Sequence, residues 1–487
     1  MPRKHPVTAG LAALHWALLT AAYGRLAQVG FLHFPLDWDF LAYHLPGALA
    51  TWGLTTYTPE PRLVAVIAGF PPLPRIVQGA LILASGRFSA AGALNLIGVA
   101  GLFAGLAWLH GRRISLRWLA TALLGVPLFV LHLESGYVDL FTASWLALGL
   151  AAFSELEPDA RRPRAGGALV VAALGAAQLS KFQAWPVAAI LGAAALVRFA
   201  ALARAERLTR RAALVLAFAL AVALGAWPVR NLVVFHNPVY PVQFPLAPGL
   251  FPNASVDADS GVYNLPVWLA DQPRPVRFLA SALEWNRFHS GERFYWSLDQ
   301  GAHADPARSP HHRLGGWFPW TLAALVLGAW RARRAGKLPA SAQLAFGAAV
   351  ALVACLPQSH ELRYWLFVPL SLAIATALGL AADVERSARA LRAALVAGAA
   401  FVLFVTHPFA LDPRPPDELA PPKAVAFWAA QRAHPRPEPV RICDVNPEGI
   451  FYAGPHFREY RVVACFGFEK PPTPNGDGQR QSSASSG

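Results

Sequence analysis

Apolar segments divided by arginine clusters constrain this chain more than any other feature of it. Apolar runs cover residues 7–31, 90–109, 118–131, 140–153, 168–179, 187–199, 212–229, 315–330, 344–356, 364–380 and 393–409. A membrane helix needs roughly 20 mostly apolar residues, so the pattern predicts a polytopic membrane protein with about eleven spans, several of them short. Arg3 and Lys4 precede the first run and set the N-terminus on the cytoplasmic side. From there, Arg112, Arg113 and Arg117, then Arg161, Arg162 and Arg164, then residues 204–211, then Arg331, Arg333, Arg334 and Lys337, and finally residues 386–392 all land on that same side. Such periodic agreement fixes topology better than any single hydropathy peak.

Composition matters because it excludes a soluble fold. The chain is 55% hydrophobic and 14% charged over 487 residues, with mean hydropathy +0.37, against about 25% charged in soluble domains. A net charge of +14 would suggest nucleic acid in a soluble protein. Here the cations sit between apolar runs, as the positive-inside bias requires, and nucleic acid is not an expected partner. The 16 Trp suit membrane interfaces. Residues 1–6 are basic, but the apolar run continues without a small-residue cleavage site, so no removable signal is expected. Cys355 lies in an apolar run and reads as an inert core thiol. Cys443 and Cys465 can pair only in an oxidising compartment.

The expected fold class is therefore an all-α polytopic membrane protein with a large first external loop and a small external α/β region at the C-terminal end. The transmembrane domain covers residues 1–409. Within it, residues 33–89 form the first external loop, with interfacial helices near 45–54 and 76–83, and residues 230–314 form a second large loop. Residues 410–470 hold strand-like runs at 440–443 and 460–468, and residues 471–487, rich in Ser, Gly and Gln, are an expected disordered tail.

Unusual polar groups collect at external span ends. Asp37-Trp38-Asp39 opens the first loop, followed by Tyr43 and His44. Two carboxylates so spaced can share a divalent cation (Mg2+ or Mn2+), or one can act as general base toward a hydroxyl. The plainer reading of Asp39 is an N-cap for the helix that follows. Glu134 and Asp139 flank a turn between spans, and a carboxylate opening an apolar run is costly unless it is used. Lys181 and Arg363, the latter followed by Tyr364, read either as snorkelling cations or as phosphate contacts. His360 lies in the same external turn as Arg363. No Walker-type glycine loop is present, so nucleotide is not an expected substrate.

These motifs, in order, resemble bacterial membrane glycosyltransferases of the GT-C class. Asp37-Trp38-Asp39-Phe40-Leu41-Ala42-Tyr43-His44-Leu45-Pro46 looks like the first-loop signature of that class. Phe70-Pro71-Pro72-Leu73, Ser135-Gly136-Tyr137-Val138-Asp139, Ser180-Lys181-Phe182, Asn237-Pro238-Val239-Tyr240-Pro241 and Arg363-Tyr364 look like the elements that follow it. The resemblance implies transfer of a sugar from a polyprenyl-phosphate donor to an acceptor on the periplasmic face of a bacterial inner membrane, with inversion. It implies that Asp37 or Asp39 is the base or metal-binding acid and that Asp139 is a second acid. Lys181 and Arg363 would contact phosphate, while Tyr43, His44, Glu134, His360 and Tyr364 would complete the substrate site. Trp38 separates the two acids, which departs from the subgroup with adjacent ones. The rival readings are a lipid-linked glycan transporter or flippase and a non-catalytic envelope-assembly subunit. Against a transporter, the acids lie in loops and no internal repeat is present.

Overall fold

The computed structural model describes residues 6–243, 249–251, 254, 267–283, 316–381, 386–406 and 412–465. Most of the expected second loop and the tail at 471–487 lie outside the described residues. Helix α1, Pro6–Leu32, carries the first apolar run and leads into the first loop. That loop holds a wide helical turn, Phe40–His44, then α2 (Leu45–Thr51), β1 (Tyr57–Thr58), α3 (Pro61–Gly69) and α4 (Leu73–Ser85). Helices α3 and α4 meet at 100° across Phe70-Pro71-Pro72, where two prolines in succession forbid a continuous helix.

The bundle proper follows with α5 (Leu94–His110), α6 (Leu116–Leu124), α7 (Pro127–Leu133), α8 (Asp139–Phe153), α9 (Pro163–Gln178), α10 (Ala184–Arg204) and α11 (Arg210–Phe235). After α12 (Val267–Ala270) and α13 (Arg274–Ala282) come α14 (Pro319–Arg334), α15 (Ala340–Cys355), α16 (Phe367–Leu380) and α17 (Arg386–Thr406). Among the described residues, five helical stretches are long and apolar enough to cross a membrane, or seven if each sharply bent pair counts as one. The sequence expectation of about eleven spans is thus not matched one for one by full-length helices. The run at 118–131 shows why: it is two helices bent by 93°, because Pro127 forces Val126 into an extended conformation. Arg230 belongs to α11 rather than to a loop.

Helix α8 is the centre of the bundle. It is buried along nearly its whole length, against α5, α9 and α16, so its outward polarity is set by protein and not by lipid. On α11, by contrast, Leu214, Val215, Phe218 and Val233 are exposed, the pattern of a helix facing hydrocarbon. Cys355 also faces outward, which corrects the expectation of a core thiol.

The C-terminal region folds onto the first loop. Helix α18 (Pro422–Ala433) packs against the turn Glu448–Ala453, which lies between β2 (Val440–Cys443) and β3 (Val462–Cys465) in the chain. A parallel three-stranded sheet has the order β1-β3-β2, with Tyr57 opposite Val462 and Val440 opposite Val462 from the other side. A disulfide joins Cys443 to Cys465. Beneath the sheet, Phe34, Phe40 and Leu41 of the first loop share one core with Trp428, Ile450, Phe451 and Phe457. Each such buried side chain contributes roughly 1.5–3 kcal/mol, so the cap clamps the segment that carries Asp37 and Asp39. No local sequence signal in the first loop announces this partner.

Candidate active site

Four chain segments far apart in sequence meet beside the N-terminal end of α8. Asp37 is buried, and its Oδ2 accepts a 2.7 Å hydrogen bond from the Gly136 N–H. A glycine is required there: a Cβ at position 136 would lie 2.3 Å from the Phe40 ring. The turn bearing Gly136 is held in turn by Asn95 near the start of α5. Its side-chain amide donates to the carbonyls of His132 and Tyr137 at 2.7 Å each and accepts from Phe141 N–H at 2.9 Å. Gln78 of α4 donates to the Gly136 carbonyl at 3.3 Å.

Asp39 sits one helical step on. Its carboxylate receives Arg363 at 2.9 Å and makes no capping bond to the following helix, so the N-cap reading is replaced by an ion pair spanning 324 residues of sequence. Arg363 also donates to the Tyr364 hydroxyl at 2.9 Å, lies over the Tyr137 ring at 4.6 Å, and stands 3.8 Å from Glu361. His360 is buried and lies 3.8 Å from Glu361.

A second pair adjoins the first. Lys181, in the turn between α9 and α10, donates to Asp139 at 2.6 Å, both side chains being buried. On the other side of Asp139 stands His132 at 3.8 Å, whose Nδ1 is 2.7 Å from the Leu128 carbonyl. The Tyr364 ring links the two pairs, with Lys181 at 4.2 Å and the Arg363 guanidinium at 4.7 Å from its centre. Cations over aromatic faces are stabilised without a counter-charge of their own, so this ring lets both cations crowd one site.

The first loop closes the site with aromatic contacts. Tyr43 lies 4.5 Å from His44 and 5.4 Å from Phe70, which lies 5.1 Å from Phe182. Burial, assisted by the Asp39 carboxylate, holds the Tyr43 hydroxyl well above the ordinary tyrosine range, so it stays protonated. Burial pushes His44 down to about 4, which leaves it neutral near pH 7. Burial also lowers the Lys181 ammonium, against the opposing pull of Asp139. Glu134 is buried in the same turn as Gly136, at the end of α7.

Asp37, Asp39, Tyr43, His44, Asp139, Lys181, Arg363 and Tyr364, singled out separately from the sequence, thus fall into one cluster. Asn95, Gln78 and His132 were not singled out, and Gly136 entered only within a quoted motif, with no role given to it. Asn95 carried a readable signal, as a lone amide opening an apolar run. Arg230 and Asn231 do not join the two ion pairs. Arg230 donates to the Ala68 carbonyl at 2.9 Å and Asn231 to the Gly69 carbonyl at 3.0 Å, fastening the end of α3 to α11.

No family model matches the sequence, and a search of curated proteins finds no match either. Solved structures do match. The crystal structure of ArnT from Cupriavidus metallidurans bound to undecaprenyl phosphate aligns over 93% of this chain and 86% of its own, at 15% identity and TM-score 0.53. Its apo state aligns over 94% and 86%, at 14% identity and TM-score 0.52. The chain shares ArnT's fold. It is a polytopic helical membrane protein of that architecture. At this identity the likeness to ArnT concerns architecture, and the chemistry rests on the side chains above.

Proposed function

We propose that the chain is an integral-membrane glycosyltransferase that moves a sugar from a polyprenyl-phosphate donor to an acceptor on the periplasmic face of the bacterial inner membrane. The observation that carries this reading is the meeting of Asp39–Arg363 with Lys181–Asp139 around Tyr364. A carboxylate stands beside two buried cations, which is what proton removal from an acceptor and capture of a phosphate leaving group both need. ArnT, whose fold the chain shares, has been solved with undecaprenyl phosphate bound, which supports a polyprenyl phosphate as the lipid.

Asp39 is the base in this reading. Its side chain retains some exposure toward the site, while Asp37 is committed to the Gly136 N–H. The acceptor hydroxyl loses its proton to Asp39 as its oxygen attacks the anomeric carbon from the face opposite the phosphate. The bond from the anomeric carbon to the phosphate oxygen breaks, and the electron pair leaves with polyprenyl phosphate. Arg363 and Lys181 stabilise that anion, and the configuration inverts. Tyr43, His44, Glu134 and His360 contribute walls and hydrogen bonds for the substrate.

Five buried carboxylates, Asp37, Asp39, Glu134, Asp139 and Glu361, lie in the segments that meet here, with two buried cations, Lys181 and Arg363. This surplus of negative charge supports a divalent cation, Mg2+ or Mn2+, at Asp37 and Asp39. Among the described residues no three His, Cys, Asp or Glu side chains gather closely enough to hold a metal alone. The ion would share its coordination with the donor's phosphate, as Mg2+ commonly does.

The Cys443–Cys465 disulfide supports placing the cap, and the first loop paired to it, in an oxidising compartment. The test is mass spectrometry of envelope lipids and glycans from a strain lacking the protein, complemented with the wild type or with Asp39→Asn. Loss of a glycosylated species, restored only by the wild type, is expected. Full restoration by Asp39→Asn would leave a transporter or assembly subunit as the better account.

A further inference from the structure

At the other end of α8 from Asp139 lies a cavity of about 100 Å3 that opens to the surface. Its existence follows from composition. Ala147 and Ala151 of α8, Ala329 of α14, Ala342 of α15 and Ala375 of α16 all line it, so four helices meet through methyl groups and leave the volume unfilled.

Two atoms in the wall lack a hydrogen-bond partner among the described residues, although the His110 ring also faces Glu155 through Nδ1 at 4.0 Å. His110, at the end of α5, is 7% exposed, lines the cavity, and its Nε2 has no hydrogen-bond partner among the described residues. The Ser371 Oγ of α16 is in the same position. A buried polar atom left unpaired is costly, and neither belongs to the site around Asp39. Lys337, exposed, stands in the lining after Arg333 and Arg334. The cavity therefore combines an apolar interior, unmet hydrogen-bonding atoms and one lysine at its rim, at the end of the bundle where the arginine clusters fall.

We propose that this cavity is a second lipid site, which takes one hydrocarbon chain of an anionic lipid with its phosphate at Lys337. Basic pockets between membrane helices on the cytoplasmic side suit anionic head groups. The oxygen atoms of such a lipid would satisfy His110 and Ser371. A phospholipid and a polyprenyl phosphate share this chemistry, and the site stands whether or not the chain transfers sugar.

The test is photolabelling of the full-length protein in detergent with three diazirine-tailed probes: phosphatidylglycerol, undecaprenyl phosphate and uncharged diacylglycerol. Cross-links are mapped by mass spectrometry. An anionic probe should label residues 147–154 or 337–346, and whichever anionic probe does so identifies the source. Ala342→Trp fills the cavity and should abolish this labelling. Lys337→Glu, at an exposed position that leaves folding intact, should cut it about fivefold, with gel filtration showing that each variant is folded. Absence of cross-links in these segments, equal labelling by diacylglycerol, or labelling indifferent to Lys337→Glu would overturn the proposal.

Discussion

Replacing Lys181 with Met separates the structural from the chemical role of the second ion pair. Lys181 and Asp139 are 5% and 2% exposed and stand 2.6 Å apart. Removing the ammonium leaves Asp139 buried with its charge largely uncompensated, which costs about 3–5 kcal/mol. Removing both charges, as Lys181→Met with Asp139→Leu, restores an apolar contact and should recover most of that loss, since replacing a buried pair outright is often neutral. The coupling between the two substitutions should therefore be large and favourable. Thermal unfolding in detergent reads it: the single variant melts well below the wild type, and the double variant melts near it. If Lys181 also holds the donor's phosphate, the double variant regains stability without regaining turnover. A hydrogen bond to a charged group is worth about 1.5–3 kcal/mol, so transfer should stay roughly ten- to a hundredfold down. Recovery of both stability and transfer would make the pair purely structural. A single variant as stable as the wild type would refute the reasoning from burial altogether.

Gly136→Ala should cost about 1–3 kcal/mol by overpacking against Phe40 and should lower transfer further, because it displaces the N–H that holds Asp37; a melting curve and an activity assay on one preparation check both. His44 predicts an acid limit. Its folded value near 4 lies below the ordinary 6.5, so the unfolded chain binds the extra proton first and stability falls as pH drops from about 6.5 to about 4, by at most about 3 kcal/mol. Melting temperatures across that window should show the fall, and His44→Gln should flatten it. Chelation with EDTA should suppress transfer and Mg2+ or Mn2+ should restore it, if the carboxylate surplus at Asp37 and Asp39 is met by a cation; undiminished turnover in EDTA would assign charge compensation to Arg363 and Lys181 alone. Reduction of Cys443–Cys465, which closes a separation of 22 residues, should destabilise the cap by about 3 kcal/mol and loosen the first loop, as seen by faster hydrogen exchange at Tyr57 and Thr58.

Much of this fold was legible because membrane helices follow one-dimensional rules. Apolar length and arginine placement gave the helices α1, α8 and α16 nearly at their observed ends, while α17 begins seven residues before its expected run. What the same rules miss is bending. A run such as 118–131 has the composition of a single span, and only the local geometry at Pro127 turns it into two helices. The site residues were legible one by one, since an acid or cation at the edge of an apolar run is costly and therefore conspicuous. Their pairing was not: nothing near Asp39 in sequence points to Arg363, and nothing near Lys181 points to Asp139. The cap's clamp on the first loop was hidden for the same reason, because Phe34 and Phe40 read as loop aromatics until Phe451 and Phe457 are packed on them. Gly136 was hidden differently, since a glycine's reason lies in the neighbour it admits.

The central claim is that Asp39, rather than Asp37, carries the proton transfer. Purified protein in detergent, given a lipid extract of its host as donor and acceptor source, is assayed for release of free polyprenyl phosphate by mass spectrometry. With Mg2+ in excess, so that a weakened metal site stays filled, Asp37→Asn keeps an oxygen to accept the Gly136 N–H and should lose less than tenfold, whereas Asp39→Asn removes the base and should lose about 100-fold or more while still binding the donor. Equal release by wild type and Asp39→Asn, or no release by the wild type, would contradict the account.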